Sequence, residues 1–165
     1  MINGFAGEQI FSNLIKLTPK IKRFQIPSSI ELIKIASSSR LGRQRIKAAQ
    51  PYLLSEFGIN YRLQKSNKLT VIIDWECVPN TVILDYIFGI DVVVNILGYV
   101  VAIDVTANPQ EIENKQQKLA RLEPLWQQVG IDKACVCYLT SSTTPNLWNA
   151  LKAVITQPQV IAISL

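Results

Sequence analysis

At 165 residues and 48% hydrophobic side chains, the chain has the length of one ordinary domain and enough apolar material for a core. It contains no histidine, which excludes Ser-His-Asp and Cys-His catalysis, histidine-ligated zinc and a histidine base, and leaves carboxylates, lysine and a hard metal. The net charge of +5 is uneven: residues 1–68 carry 12 Lys+Arg against Glu8, Glu31 and Glu56, a balance of +9, while the remainder carries five against nine acids, a balance of −4.

The chain opens MINGFAGEQ, without the basic and apolar regions of an export signal, and no stretch approaches eighteen apolar residues. A cytoplasmic protein with no membrane partner is expected. GEQIFSNLIKLTPKIKRF has helical apolar spacing up to Pro19, followed by a basic connector. IELIKIA reads as helix or strand. The serine run before RLGRQRIKAAQPYLLSEFG predicts an N-capped helix that Pro51 kinks or restarts, with Gly58 at its C-cap. Arg40, Arg43, Arg45 and Lys47 on that helix form the densest basic cluster, suited to the phosphates of a nucleic acid. It reads equally as a solvated basic surface.

INYRLQ and LTVIIDW are strand-like runs separated by SNK, and ECVPNTVILDY reads as a loop or short helix. FGIDVVVNILGYVVAIDVTANP then sets two β-branched runs around the turn signal NILG. With NILG as a four-residue turn, Val94 faces Tyr99, Asp91 faces Ala102 and Asp104 faces Gly89. One face is then apolar, with Ile90, Val92, Val94, Val101, Ile103 and Val105. The other carries Asp91, Val93, Asn95, Val100, Ala102, Asp104 and Thr106, with the two aspartates about 7–8 Å apart on the diagonal.

Asn108, Pro109 and Glu111 predict the start of a helix that Pro124 interrupts. KACVCYLT reads as a buried strand, TPNLWNALKAVIT as a helix with Pro145 near its first turn, and QVIAISL as a last strand. The order helix, strand, helix, strand predicts parallel pairing. Cys77, Cys135 and Cys137, lacking CxxC spacing, are expected as reduced core cysteines, and Trp75, Trp126 and Trp148 as core anchors.

Two carboxylates on adjacent strands repel unless a cation lies between them, and their hard oxygens suit Mg²⁺ or Mn²⁺. The same two acids also fit a plain exposed sheet or the hairpin ends. The run helix, strand, GIDVVV, turn, GYVVAIDVT, helix resembles the core of the PD-(D/E)XK nuclease superfamily over roughly residues 43–140. The resemblance implies an α/β restriction-endonuclease-like core at 43–165, a central mixed sheet with flanking helices, and a basic helical extension at 1–42, all in one domain. It implies Mg²⁺ or Mn²⁺ held by Asp91, Asp104 and the Val105 carbonyl, with Glu56 as the extra acid some members carry, and hydrolysis of DNA. The tripeptide reads Asp104-Val105-Thr106, with threonine where the family has lysine, so Lys115 and then Lys118 on the following helix are the candidates for that charge. Two other readings stand beside it: an inactive nuclease-fold module that binds nucleic acid or regulates, and a homo-oligomer built on an apolar surface.

Overall fold

The structure, a computed structural model, describes residues 4–62, 69–140 and 146–165. Its helices and strands in chain order are α1 Gly4–Lys16, β1 Lys22–Arg23, α2 Ser29–Ser38, α3 Arg40–Phe57, β2 Gly58–Arg62, β3 Leu69–Ile73, α4 Asn80–Ile83, β4 Val92–Ile96, β5 Tyr99–Thr106, α5 Ile112–Arg121, α6 Glu123–Trp126, β6 Lys133–Tyr138, α7 Leu147–Thr156 and β7 Ile161–Ser164. They fall into two compact units, Met1–Ile26 with Gly89–Leu165, and Pro27–Phe88. The sequence expectation was one domain with a basic extension at 1–42; α1 instead groups with the sheet-bearing unit, where it lies against β5.

In that unit a five-stranded mixed sheet runs in the order β1-β4-β5-β6-β7, giving an α/β fold with flanking helices. The β1/β4 and β4/β5 pairs are antiparallel, and the β5/β6 and β6/β7 pairs parallel. Helical connections between β5, β6 and β7 allow that parallel pairing, as the element order predicts. β1 lies in the segment read as a connector; two residues are too few to leave a periodic signal.

Side chains alternate across a strand. Val101, Ile103 and Val105 of β5 join Phe11 and Ile15 of α1 and Leu151 and Val154 of α7 in one buried cluster. Cys135 and Cys137 belong to the same cluster. The alternate β5 residues Val100, Ala102, Asp104 and Thr106 therefore point to the opposite face, and they too are buried. That face is covered by α5, which packs on β6 and β7.

The hairpin differs from expectation in its turn. Ile96 pairs with Tyr99, so the turn is the two residues Leu97-Gly98, both at positive φ (53° and 88°), rather than the four residues NILG. Val94 faces Val101 and Val93 faces Ala102. The slip is two residues, an even number, and it leaves every side chain on its expected face. It does shift the acids along the ladder: the last pair is Val92 with Ile103, so Asp91 and Asp104 each follow immediately on that pair.

The second unit begins with a capping box, in which the Ser28 and Glu31 side chains each take the other's backbone N–H. Ser39 caps α3, accepting the Gly42 N–H at 2.9 Å. Gly42 is demanded by the crossing of α2 and α3: a Cβ there would lie 2.0 Å from the Ala36 carbonyl oxygen. Pro51 sits inside α3, which continues unbroken to Phe57, and Gly58 forms its C-cap in an extended conformation. β2 and β3 form an antiparallel ribbon on which Ile59, Tyr61, Leu69, Val71 and Ile72 are exposed. The ECVPNTVILDY segment holds α4 and the start of a π-helical turn, Leu84–Phe88. The SNK segment and Pro145 lie outside the described residues.

Trp126 is a core anchor as expected, buried with its indole N–H on the Leu119 carbonyl at 3.0 Å. Cys77 is not in the core; it is exposed, its thiol donating to the Asp74 carboxylate. No helix of the described residues is long and apolar enough to cross a membrane.

Candidate active site

Asp104 is the centre of the arrangement. It is only 1% exposed, and a carboxylate so deeply desolvated needs cationic partners. Both come from α5: Lys115 donates to Oδ1, and the Lys118 ammonium lies 2.5 Å from Oδ2. The contact with Lys118 is an ion pair without hydrogen-bond alignment, which leaves Oδ2 as a buried oxygen lacking an aligned donor. Lys115 also donates to the Val105 carbonyl at 2.9 Å. The two lysine side chains keep 23% and 28% of their surface, so the cluster opens toward water on its cationic side.

Asp91 stands where β4 has ended. Its backbone N–H still reaches the Ile103 carbonyl at 3.0 Å, and its Oδ2 accepts the Val105 N–H at 2.7 Å. The carboxylate thus takes a ladder donor of β5 that β4 no longer meets, which fixes it beside the Asp104-Val105 peptide. Burial pulls the Lys115 ammonium toward its neutral form. The Asp104 hydrogen bond and charge, with the charges of Asp91 and Glu111, outweigh it and hold Lys115 above its ordinary pKa. In this arrangement Lys115 is a cation and a donor, not a base.

Thr106, at the motif position where a lysine was looked for, is buried and structural. Its hydroxyl donates to the Glu111 carboxylate at 3.1 Å and accepts the Asn108 N–H at 3.1 Å. Asn108 in turn accepts the Gln110 N–H at 3.1 Å. These bonds fix the chain's exit from β5 into the 3₁₀ turn Pro109–Glu111 that leads into α5. Lys115 and Lys118, three apart on α5, share a face and return to β5. Gly89, at φ +70°, makes room for Lys118: a Cβ there would lie 3.0 Å from Lys118 Cε and 3.1 Å from Leu122.

Of the site residues expected from sequence, Asp91, Asp104, Val105, Lys115 and Lys118 come together in the sheet unit. Glu56 and the basic cluster belong to the other unit, on α3. Arg40, Arg43 and Lys47 are exposed and follow helical spacing along one stripe. Arg45 is half-buried and committed to structure, donating to the Ile87 and Tyr86 carbonyls of the π-helical turn at 3.0 and 2.6 Å. The roles that sequence reasoning missed are those of Gly89, Thr106 and Glu111, whose parts depend on the approach of α5.

Two carboxylates and a backbone carbonyl are the donor set of a Mg²⁺ or Mn²⁺ site that completes its shell with water and phosphate. Lys115 occupies Asp104 Oδ1 and the Val105 oxygen with an ammonium, while the Lys118 ammonium lies against Oδ2. A hard cation at this donor set would take the place of the Lys115 ammonium on Asp104 Oδ1 and the Val105 oxygen. Among the described residues no cluster of three or more acids, cysteines or histidines gathers. No family model, curated protein or solved structure matches the chain.

Proposed function

We propose that the protein hydrolyses phosphodiester bonds of nucleic acid, DNA first, with a divalent metal on a restriction-endonuclease-like core of PD-(D/E)XK pattern. The observation that carries this reading is the return of Lys115 to Asp104 and the Val105 carbonyl. It gives the acid pair the cation that Thr106 does not offer.

Asp91, Asp104 and the Val105 carbonyl would hold Mg²⁺ or Mn²⁺. Bound there, such an ion would supply a polarised phosphoryl oxygen and a water of lowered pKa. The Lys115 ammonium would then be available to a phosphate oxygen and would neutralise charge that develops there. Lys118 stays against Asp104 Oδ2 and keeps the carboxylate oriented. Asp91 is held on the Val105 N–H, and Thr106 with Glu111 fixes the base of the helix that carries both lysines. Arg40, Arg43 and Lys47 would add phosphate contacts that weaken with salt.

Neutralisation of Asp104 by two lysines favours a second reading, an inactive nuclease-fold module that binds nucleic acid. Nicking of supercoiled plasmid in Mg²⁺ separates the two. The first reading expects cleavage by the wild type and none by Asp104→Ala, with DNA binding retained. Binding by both proteins with cleavage by neither removes it.

A further inference from the structure

At the other end of the β4–β5 hairpin, in the same unit, lies a groove of about 670 Å³ lined by Lys20, Lys22, Arg23, Asn95, Leu97 and Trp148. Three cations border it, and among the described residues no carboxylate forms an ion pair with any of them. This sets them apart from Lys115 and Lys118. Lys22 and Arg23 are exposed on β1, the edge strand, opposite Asn95 and Val94. Lys20 carries its ammonium over the Trp148 ring, 5.3 Å from the centroid. The sequence reading of Trp148 as a core anchor is therefore half the story: it is only partly buried, packed against the core while it lines the groove.

The turn supplies a further observation. Leu97 holds a left-handed backbone, φ 53°, at a position where Asn or Gly fits without strain, and its side chain is 58% exposed. A strained, solvated leucine on the rim of a cationic groove gains if a flat apolar surface covers it. An indole face, an exposed leucine and unpaired cations together match a nucleotide, whose base stacks and whose phosphate takes the charge.

We infer that this groove binds an unpaired nucleotide of a nucleic acid strand, with the base on Trp148 and Leu97 and the phosphate on Lys20, Lys22 and Arg23. The base takes the place of the Lys20 ammonium on the indole. The substrate class is a nucleic acid with an unpaired end, and the inference stands apart from the proposed hydrolysis.

The test measures binding of the full-length protein in EDTA, by fluorescence anisotropy, to a blunt duplex and to the same duplex with a short unpaired tail. The tailed probe is expected to bind tighter. Trp148→Leu should lower its affinity about tenfold and leave the blunt duplex unchanged. Lys22→Glu with Arg23→Glu, on an exposed edge, should weaken tail binding and reduce the salt slope by about two. Equal binding of blunt and tailed probes, or full tail affinity in the double glutamate variant, overturns the inference, and does so even if Trp148→Leu fails to fold. Capture by phosphatidylserine vesicles without tail preference also overturns it, in favour of a membrane surface. Tail preference without plasmid cleavage upholds the groove and removes only the hydrolytic reading.

Discussion

Lys115 returns its ammonium to Asp104, eleven residues earlier in the chain, and donates to the neighbouring Val105 carbonyl at 2.9 Å. The pair closes β5 onto α5 and puts a cation on the atoms that a metal would use. Its energetics are open to direct measurement.

Removal of the two partners should have unequal cost. Asp104→Asn leaves two ammonium groups that reach water, about 1–3 kcal/mol in urea unfolding. Lys115→Met with Lys118→Met leaves a buried carboxylate without a cation, about 3–5 kcal/mol. A smaller loss in the double lysine variant than in Asp104→Asn would show that the carboxylate is not desolvated as described.

The pH dependence follows from the raised Lys115 pKa. A group whose folded pKa exceeds its unfolded value contributes fully below the unfolded value and loses that contribution as pH rises through the folded one. The stability gap between wild type and Lys115→Met should therefore stay level through neutral pH and narrow only above the ordinary lysine value of 10.5. Narrowing near neutrality would contradict it.

Gly89→Ala meets two obstacles, a left-handed backbone at φ +70° and contact with Lys118 and Leu122. Gly98→Ala meets only the first, since nothing lies within 4 Å of its Cβ position. The turn substitution should cost about 1–2 kcal/mol, and Gly89→Ala more. Equal losses in thermal melts would mean that Gly89 does not shape the seat of Lys118.

The three thiols should separate on labelling. Cys77 is exposed, and its hydrogen bond to Asp74 raises its pKa, so it should react alone but more slowly than a free thiol at about pH 8. Burial pushes the Cys137 thiol up to about 12 and that of Cys135 well above the ordinary value, so both should label only on unfolding. Labelling of all three at once in native buffer would contradict the buried β6.

The sequence made the alternation of the β4 and β5 faces legible, because period-2 patterning survives a register slip of two. It did not reveal the turn, since Leu97 is a residue that φ 53° disfavours and NILG carries no mark of which two residues close it. The acid pair was readable from residue types and spacing around the hairpin, whereas Lys115 was expected only through the nuclease resemblance. The buried depth of Asp104 was not, because it depends on α5 covering a face expected to be open. Arg45 looked like a surface cation until the π-helical turn gave it two carbonyls to hold. The groove at Trp148 joins residues more than a hundred positions apart, beyond any local pattern.

The most direct measurement is a crystal soaked in Mn²⁺ and recorded at the manganese absorption edge. The account predicts an anomalous peak within bonding distance of carboxylate oxygens from both Asp91 and Asp104, with the Lys115 ammonium displaced from the Val105 carbonyl. An empty position with Lys115 still bound to Asp104 would contradict it.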